Sequence, residues 1–561
     1  MPTQVFPSAC VAADHRLASE AGAEVLRAGG NAVDAAVAAS FALSVVRPYS
    51  CGVGGGGFMV VRLREHPRLV AKGAAPLTRC INYRETAPAA TRADSYEDVD
   101  DPHAATHGGR AVGVPGTVAG LLHALEKYGT LPRDRVLAPA IRLAHEGFDV
   151  DAHYMESVAE VIGWVRGGSE RAPKFPLVWE RYLKRGGVAL GDRVRVPEQA
   201  RVFERIAAEG RAGFYGGEVA RAMVDAVHET SGELSLEDLA SYGVVEGNPF
   251  VAAFRGKRIL CQPPPSSGGI VLAQVFAMLE ARREDLERIV REDGHNSARY
   301  VHLVCEACKH AFADRARWLG DTRFVDVPLG TLLDPARLRD AAAKIDLTRT
   351  REQDWYGVAP PPKDDSGTSH LCAVDRWGNA VACTETINLI FGSLVGVDEF
   401  GFILNDTMDD FVTRAGKANA FGLSHGRFNR PAAGKRPLSS MTPTIVLASD
   451  DADAPPFMIA GGAGGPRIIS GTMQSILNVL LFDMDAQRAI DEPRFHHQWS
   501  PHTLQLEAEL LESPLRGELA ALGHEVTKRQ PIANVQVIRR DPGGGWQGAC
   551  DPRKGGAPAG D

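Results

Sequence analysis

Hydroxyl, carboxylate and guanidinium side chains that could do chemistry concentrate in three short segments of the C-terminal part of this sequence. The segments are residues 365–381 (DSGTSHLCAVDRWGNAV), 404–411 (LNDTMDDF) and 436–441 (RPLSSM). A hydroxyl group becomes a nucleophile when a base lies next to it, and Arg and Asp side chains bind the charged ends of small molecules. Residues of these types are able to supply a nucleophile and to bind a charged small molecule.

The three segments closely resemble the γ-glutamyltransferases, which are N-terminal-nucleophile hydrolases. Further segments resemble that family in the same order, so the resemblance extends over nearly all 561 residues. These are residues 31–35 (NAVDA), 54–58 (GGGGF), 84–88 (RETAP), 113–120 (GVPGTVAG) and 263–269 (PPPSSGG). One glycine run alone is weak evidence, whereas chance agreement in every segment is remote.

The resemblance implies that Thr368 is the nucleophile and that the precursor cuts itself before this residue. The implied products are a large subunit, residues 1–367, and a small subunit, residues 368–561, which form one intertwined structural unit. As an N-terminal residue, Thr368 carries its own base, because a free α-amino group ordinarily has a pKa of about 7.7 to 8.0. Its β-methyl group restricts χ1, and Gly367 eases the backbone geometry that self-cleavage needs.

Thr386 and Asn388 follow on the same predicted hairpin and match two further family positions. The resemblance implies that Thr386 hydrogen-bonds the amino group of the nucleophile and that Asn388 binds the polar end of the γ-glutamyl group. A β-branched residue is also an ordinary strand residue, so that alternative stays open for Thr386.

A γ-glutamyl donor carries an α-carboxylate and an α-ammonium, and a specific pocket must pair both charges. Arg84 matches the family arginine that grips the carboxylate through two charge-assisted bonds. Ser439 and Ser440 resemble the serines that assist it, and Asp410 matches the aspartate that accepts from the ammonium. The alternative for Arg84 and Asp410 is a surface ion pair or a solvated turn.

Acyl transfer develops negative charge on the carbonyl oxygen, and the glycine run at residues 461–465 could present backbone N–H groups to that charge. Glycine lets backbone N–H groups approach a reacting carbonyl oxygen, and Gly464 and Gly465 fit that role. A glycine run between a strand and a helix is also typical of a phosphate loop, but no GK[ST] follows and Pro466 lacks an N–H. The run at residues 52–57 lacks the βαβ frame of a nucleotide site.

Three residues depart from the usual family pattern. Thr407 replaces a Gln or Glu that adds a contact to the α-amino group, which predicts weaker donor binding. Phe421 takes a lid position that is often tyrosine, and loss of that hydroxyl favours hydrolysis over transfer. Pro466 replaces a serine, with no consequence that the sequence reveals.

The elements that must position these residues follow from hydrophobic periodicity and turn signals. Helices are predicted over residues 16–26, from about 31, and over 117–127, 139–146, 197–208, 218–229, 301–317 and 468–482. Strands are predicted over residues 368–375, 380–387, 457–460, 534–539 and 545–549. The region before about residue 350 is therefore expected to be mostly helical.

Strands enclosed by helices indicate stacked sheets. The resemblance implies an α+β fold, a four-layer αββα sandwich of two stacked, mainly antiparallel sheets flanked by helices, which is the N-terminal-nucleophile hydrolase fold. No long linker or internal repeat divides the chain, so one large unit is expected.

Composition limits the classes of partner. With 44% hydrophobic and 24% charged residues the chain is globular, and a net charge of −8 argues against nucleic acid or an anionic membrane surface. No apolar run approaches the roughly 18 residues of a membrane-spanning helix, and no secretory signal is evident at the start. We expect a small-molecule partner and a cytoplasmic location, or a periplasmic or secreted one if the start is misassigned.

The cysteines and paired histidines are expected to pack rather than to bind metal. Nine scattered cysteines favour reduced thiols over a disulfide framework. Cys305 and Cys308 form one C-x-x-C in a predicted helix with no second pair, and the adjacent His496 and His497 point different ways. No metal and no cofactor are expected.

The resemblance implies an enzyme with a ping-pong cycle, in which Thr368 takes the γ-glutamyl group from glutathione or a related donor and passes it to water, an amino acid or a peptide. A second hypothesis keeps the nucleophile but changes the acyl group, as in relatives acting on cephalosporin side chains, oxamate or polyglutamate capsules; Arg84 with Asp410 speaks against the first two. A third is an unprocessed binding or structural protein in which Thr368 stays within an intact chain.

Overall fold

The computed structural model describes residues 3–97, 99–357, 367–412 and 427–561. The strands are β1 (Gln4–Phe6), β2 (Cys10–Ala13), β3 (Gly56–Leu63), β4 (Leu77–Asn82), β5 (Phe148–Asp149), β6 (Arg193–Val194), β7 (Val245–Gly247), β8 (Phe250–Phe254), β9 (Lys257–Cys261), β10 (Gly367–Val374), β11 (Ala380–Asn388), β12 (Gly396–Val397), β13 (Phe402–Ile403), β14 (Thr444–Leu447), β15 (Pro456–Ala463), β16 (Phe495–His496), β17 (Leu504–Leu506), β18 (Val526–Lys528), β19 (Asn534–Arg540), β20 (Trp546–Cys550) and β21 (Ala559–Gly560).

The helices are α1 (Arg16–Arg27), α2 (Ala32–Val46), α3 (Thr117–Tyr128), α4 (Arg133–Glu146), α5 (Ala152–Arg166), α6 (Arg171–Lys174), α7 (Glu198–Glu209), α8 (Ala212–Tyr215), α9 (Gly217–Glu229), α10 (Leu236–Ser241), α11 (Gly268–Ala281), α12 (Arg283–Glu292), α13 (Ala298–Trp318), α14 (Leu329–Leu332), α15 (Pro335–Ala343), α16 (Gln353–Tyr356), α17 (Arg467–Phe482), α18 (Ala486–Asp491), α19 (Ala508–Leu511) and α20 (Leu515–Ala521). Short 3₁₀ turns include Thr407–Asp410.

Two seven-stranded sheets form the centre of the molecule, and every neighbouring pair of strands in them is antiparallel. The first sheet has the order β1-β20-β19-β15-β14-β9-β8. The second has the order β21-β2-β10-β11-β3-β4-β7. Alternate side chains of each strand point to opposite faces, so each sheet buries two apolar surfaces.

One apolar surface lies between the sheets and two lie under helices. Cys372 and Val374 of β10 and Ile459 of β15 belong to the layer between the sheets. Leu371 and Ala373 of β10 face the other way, into a core shared with α1 to α4. Met458 and Ala460 of β15 face α11, α13 and α17. The order helix, sheet, sheet, helix is the predicted four-layer αββα sandwich.

Helices predominate over strands in the first 350 residues, as expected, but the sequence patterns missed seven strands of the two large sheets that precede residue 262. β3 shows why the periodicity missed them. All eight of its residues are buried, so its sequence GGFMVVRL shows no alternation of apolar and polar residues. The hairpin of β10 and β11 and the helices α1, α2 and α17 lie where the sequence predicts them.

Asn31 and Asp34 of the NAVDA segment form a capping box at the start of α2. Asn31 accepts from the N–H groups of Val33 and Asp34, and Asp34 accepts from the N–H of Asn31. All residues of α2 are buried, which is what a helix that is apolar on every side requires. This segment therefore fixes the helix that packs beneath β10 and β11.

Two further sequence expectations concern membranes and thiols. Among the described residues, no helix combines the length and hydropathy that a membrane span needs. All nine cysteines are buried and unpaired.

Candidate active site

Thr368 lies in a β-bulge at the start of β10. Gly367 pairs with Asn388, whereas Ser369 pairs with Glu385, so the register shifts at the residue between them. Bulges re-aim a side chain and recur beside active sites. Gly367 has no room for a side chain, because a Cβ atom there would lie 2.7 Å from the carbonyl oxygen of Asn388.

Two threonine hydroxyls converge on the carbonyl group that precedes Thr368. The Oγ1 atoms of Thr368 and Thr386 are 3.1 Å apart, and they lie 2.5 and 2.6 Å from the Gly367 oxygen. The N–H of Asn388 donates to Thr386 Oγ1 at 2.8 Å, so the hydroxyl proton of Thr386 is directed at the carbonyl. We call Gly367, Thr368, Thr386 and Asn388 the nucleophile end of the site.

Asn388 has a φ of +79°, which is uncommon for a residue other than glycine. Its side-chain amide donates to the backbone oxygen of Asp406 at 3.2 Å, and Asp406 Oδ1 accepts from the N–H of Leu389. These bonds hold the end of β11 against the segment that leads to Asp410.

Arg84 and Asp410, predicted to bind the two charges of a donor, lie together and are paired with each other. Arg84 Nη2 forms a short ion pair with Asp410 Oδ2, and Nη1 donates to Glu85 Oε2 at 3.0 Å. Both residues of the pair are buried, with relative exposures of 1% and 8%. Burial raises the pKa of Asp410, and the Arg84 guanidinium opposes that rise.

Glu85 belongs to this group, although the sequence patterns gave no reason to select it. It is fully buried, which raises its pKa to about 7, and its Oε1 has no hydrogen-bond partner among the described residues. A Cβ atom at Gly56 would lie 2.6 Å from Glu85 Oε2. The glycine run before β3 therefore makes room for this carboxyl group.

Ser439 and Ser440 are held by the PPPSSGG segment and by a helix. The Ser439 oxygen accepts from the N–H and the hydroxyl of Ser267 at 2.8 and 2.7 Å. Arg315 of α13 donates from Nη2 to Ser440 Oγ at 3.1 Å and from Nε to Ser267 Oγ at 2.8 Å. The serine pair is thus fixed from both sides.

Arg315 is a second residue that the sequence patterns did not select. It is 1% exposed, and burial lowers its pKa to about 10, with the nearby Asp410 opposing that effect. A signal was present, because Arg315 falls on the same face of α13 as the buried Cys308 and Phe312. Arg84, Glu85, Asp410, Arg315 and Ser440 form what we call the recognition end of the site.

Gly464 and Gly465 form the turn between β15 and α17. Their φ angles of +124° and +59° explain why glycine stands at both positions. Earlier in the run, Gly461 lies against β10, since a Cβ atom there would be 2.3 Å from the ring of His370. The glycine run therefore contacts β10 at His370, two residues after Thr368. Oxyanion binding by Gly464 and Gly465 stays a prediction.

A small apolar cluster joins the parts of the site. Phe58 of β3, Met441 next to the serine pair, and Ile468 at the start of α17 pack together. Phe58 is also paired with Thr384 on β11, two residues from Thr386. This apolar cluster therefore packs against or next to the segments that carry Thr386, the serine pair and the glycine run.

The residues that depart from the family pattern have different surroundings. Thr407 is buried, its Oγ1 has no hydrogen-bond partner among the described residues, and its methyl group packs against Gly113. Pro466 precedes the first turn of α17. Phe421 lies outside the described residues.

One group outside the site has the residue types of a metal centre. His302, Glu306 and His524 place ligand atoms within 4.8 Å of one another. Glu306 is already ion-paired with the buried Lys309 and accepts from Tyr356, while His302 Nδ1 lies 2.8 Å from His524 Nε2. These contacts make the group a closed hydrogen-bond network.

The C-x-x-C motif and the adjacent histidines have packed surroundings, as their sequence context predicts. Cys305 and Cys308 lie in α13, and burial raises the pKa of both thiols. His496 lies 2.7 Å from Ser470 Oγ, and His497 is also buried.

The chain is similar to known proteins over most of its length. The sequence profile of the family described as gamma-glutamyltranspeptidase matches residues 18–561. The chain is 38% identical over 539 residues to the glutathione hydrolase proenzyme of Pseudomonas sp. (strain A14), covering 94% of this chain and 88% of that protein. It is 36% identical over 550 residues to the glutathione hydrolase proenzyme of Escherichia coli (strain K12), covering 97% and 90%.

Solved structures show the same fold. A cephalosporin acylase from Bacillus halodurans matches with a TM-score of 0.81 over 100% of this chain and 97% of that chain, and at 24% identity it shows the fold alone. A gamma-glutamyltranspeptidase from Pseudomonas nitroreducens complexed with L-DON matches with a TM-score of 0.53 and 33% identity, over 60% of this chain and 94% of that chain.

Proposed function

Because the chain belongs to the γ-glutamyltranspeptidase family, we propose that it is an autoprocessing enzyme that transfers or hydrolyses γ-glutamyl groups, with Thr368 as its nucleophile. The observation that carries the proposal is the convergence of the Thr368 and Thr386 hydroxyls on the Gly367 carbonyl. In this arrangement the nucleophile lies beside the bond that it must break, and a second hydroxyl polarises that bond.

Self-cleavage follows from these contacts. The Thr368 oxygen attacks the Gly367 carbonyl carbon, and the hydroxyl of Thr386 stabilises the negative charge that develops on the oxygen. The C–N bond breaks, the Thr368 nitrogen takes the proton of the hydroxyl, and an ester joins the two residues. Water hydrolyses the ester, which leaves a carboxylate on Gly367 and a free amine on Thr368. The products are residues 1–367 and 368–561.

Donor binding exchanges the partners of an existing ion pair. The α-carboxylate of the donor takes the place of Asp410 on Arg84, and Asp410 accepts from the α-ammonium. Ser439, Ser440 and Asn388 complete the polar contacts of the γ-glutamyl group. An acyl group without the ammonium would leave the Asp410 carboxylate without its new partner, which supports a γ-glutamyl substrate over other amides.

Turnover then uses the new amine as the base. The Thr368 amine takes the proton of its own hydroxyl, the oxygen attacks the γ-carbonyl carbon, and the N–H groups of Gly464 and Gly465 bind the oxyanion. The leaving amine receives the proton and departs. Water or the amino group of an amino acid or peptide releases the γ-glutamyl group and regenerates Thr368.

Glutathione is the donor we propose, because the relatives that match over most of the chain are named glutathione hydrolases. The unpaired state of all nine cysteines supports a reducing compartment such as the cytoplasm.

A denaturing gel with N-terminal sequencing tests the nucleophile. The purified protein should give two fragments, the smaller beginning at Thr368, and should release 4-nitroaniline from γ-glutamyl-4-nitroanilide. Thr368→Ala should stay as one inactive chain. Thr384→Ala is the matched control, because that buried hydroxyl on β11 contacts His370 and should be dispensable for cleavage. Cleavage of Thr368→Ala at the wild-type rate would refute the assignment.

A further inference from the structure

A buried lysine from the end of the chain contacts the backbone of the nucleophile. Lys554 lies in the loop between β20 and β21 and is 2% exposed. Its Nζ donates to the carbonyl oxygen of Thr368 and lies 3.4 Å from Ser369 Oγ. On its other side, Nζ lies 2.6 Å from Asp14 Oδ2.

Both partners of this ion pair are held in place. Arg47 donates to the backbone oxygens of Lys554 and Asp14, at 2.7 and 3.2 Å. Gln536 donates to Asp14 Oδ1 at 2.7 Å. The loop lies directly on the chain before α1, since a Cβ atom at Gly556 would be 2.3 Å from the oxygen of Ala13. The ammonium is therefore fixed by the fold and does not sample solvent.

The position of this charge matters because the carbonyl and the amine of Thr368 belong to one residue. An ammonium that touches the carbonyl lies a few ångströms from the nitrogen that self-cleavage turns into an amine. In a buried site a like charge at that range disfavours the charged form of its neighbour. Asp14 favours the charged form, but the charged atom that contacts Thr368 is Lys554 Nζ.

We propose that Lys554 is a positioning residue for the nucleophile: it anchors the Thr368 carbonyl and disfavours protonation of the amine that must act as the base. The inference rests on the proposed role of Thr368. It gives the C-terminal loop a function in catalysis, which is to keep that amine neutral at the pH where it has to accept a proton.

Other titratable groups surround the pair, and they differ in whether they change charge near neutral pH. Arg47 is ion-paired with Asp151, at 2.6 Å. Burial lowers the pKa of His153 well below its usual value and raises that of the Cys51 thiol to about 12. Burial lowers the pKa of His15 to about 3 and raises that of Tyr49. Burial also raises the pKa of Glu385 to about 7, and the hydrogen bonds from Ser40 and Tyr83 oppose that rise. Glu385 is retained in every variant compared below.

The test is the pH profile of kcat/KM for γ-glutamyl-4-nitroanilide, measured on processed enzyme. The acid limb reports protonation of the base in the free enzyme. In Lys554→Met the cation is absent, the amine holds its proton more tightly, and the acid limb should move up by roughly one pH unit. Activity near pH 7 should fall and should recover at higher pH. Lys554→Arg keeps the charge and should keep the wild-type limb.

Asp14→Asn provides the opposite change of charge. It removes the anion but leaves an oxygen for the bond to Gln536, so the acid limb should move down. A lysine with a purely structural role would lower kcat in both variants without moving the limb, or would move it in the same direction in both. Either result would overturn the proposal, and opposite shifts support it. Should Lys554→Met remain uncleaved, the sign of the shift in Asp14→Asn decides alone.

Failure of the two proposals gives different results. Full activity in Thr368→Ala would remove the nucleophile itself. An inactive Thr368→Ala together with unshifted limbs in Lys554→Met and Asp14→Asn would remove only the role of the lysine.

Discussion

The two ends of the site are built in different ways. The nucleophile end comes from one hairpin, and the groups that surround the Gly367 carbonyl are uncharged hydroxyl and amide groups. The charged contact, from Lys554, is to the next carbonyl, that of Thr368. The recognition end combines side chains from separate segments, and four of its groups are ionisable. Arg84 and Glu85 follow β4, Arg315 lies in the last turn of α13, Asp410 lies in the 3₁₀ turn and Ser440 precedes β14. In the first, the backbone register sets the geometry, whereas in the second the side chains hold one another.

This difference separates the tasks of the two ends. A neutral, strand-borne arrangement is complete before any ligand arrives, so it is suited to a reaction of the chain with itself. At the recognition end, Arg84 is paired with Asp410 before a donor arrives. Arg84 must exchange Asp410 for the carboxylate of a donor, so this exchange contributes to the free energy of donor binding. Changes at the first end should therefore affect cleavage, and changes at the second should affect donor selection.

Thr386→Val should have the largest effect and would break the comparison if it did not act on cleavage. Valine keeps the shape of the side chain but removes the proton that points at the Gly367 carbonyl. We expect cleavage to slow by about 100-fold or more, as for loss of one oxyanion donor elsewhere. A time course of freshly made precursor on a denaturing gel measures it. Thr386→Ser retains the hydroxyl and should cleave much faster than the valine variant, and equal rates for both would contradict the role of that hydroxyl.

Asp410→Asn should leave cleavage intact and alter the choice of donor. The wild-type enzyme should prefer a γ-glutamyl anilide to a glutaryl anilide, which lacks only the α-amino group, by about 5- to 150-fold, the equivalent of roughly 1 to 3 kcal/mol. The variant should lose most of that preference. The ratio of kcat/KM for the two anilides reports it, and an unchanged ratio would remove Asp410 from its proposed role.

Glu85→Gln should have the smallest effect, on the pH dependence of stability. The pKa of Glu85 is raised to about 7 by burial, so between its ordinary value of 4.5 and 7 the folded protein holds a proton that the unfolded chain has released. Stability therefore falls as pH rises through that window, and glutamine should reduce the fall by at most about 3 kcal/mol.

Urea unfolding of the uncut Thr368→Ala chain, with and without Glu85→Gln, at pH 5 and pH 8 measures this contribution. Glu97→Gln, at an exposed carboxyl group, is the control and should leave the pH dependence unchanged. An equal fall with pH in all three chains would show that Glu85 does not titrate as its burial indicates.

The hairpin of the nucleophile end was predictable from local signals, whereas the family resemblance selected Thr368, Thr386 and Asn388 on it. The pairing of strands then brings them together without further information. Arg84 and Asp410 were identified through the family resemblance, but their direct pairing depends on where separate segments meet.

Glu85, Arg315 and Lys554 were not selected from the sequence. Helical periodicity places Arg315 on the buried face of α13, but it does not identify the groups that this residue contacts. Arg315 and Lys554 are distant in the chain from the groups they contact. The sequence alone does not show which group a buried charge pairs with. β2 and β3 were missed because a strand buried on both faces has the composition of a buried helix. Local signals therefore found the hairpin, and three-dimensional packing was needed for the charges.

The order of strands in the two sheets has a consequence for how the mature molecule denatures. A break before Thr368 would leave β21, β10 and β11 on one fragment and β2, β3, β4 and β7 on the other, interleaved within a single sheet, and the first sheet is shared in the same manner. Neither fragment retains either of the seven-stranded sheets whole. Once heated apart, the halves would have to find each other as separate molecules, so the uncut chain should renature where the mature enzyme aggregates.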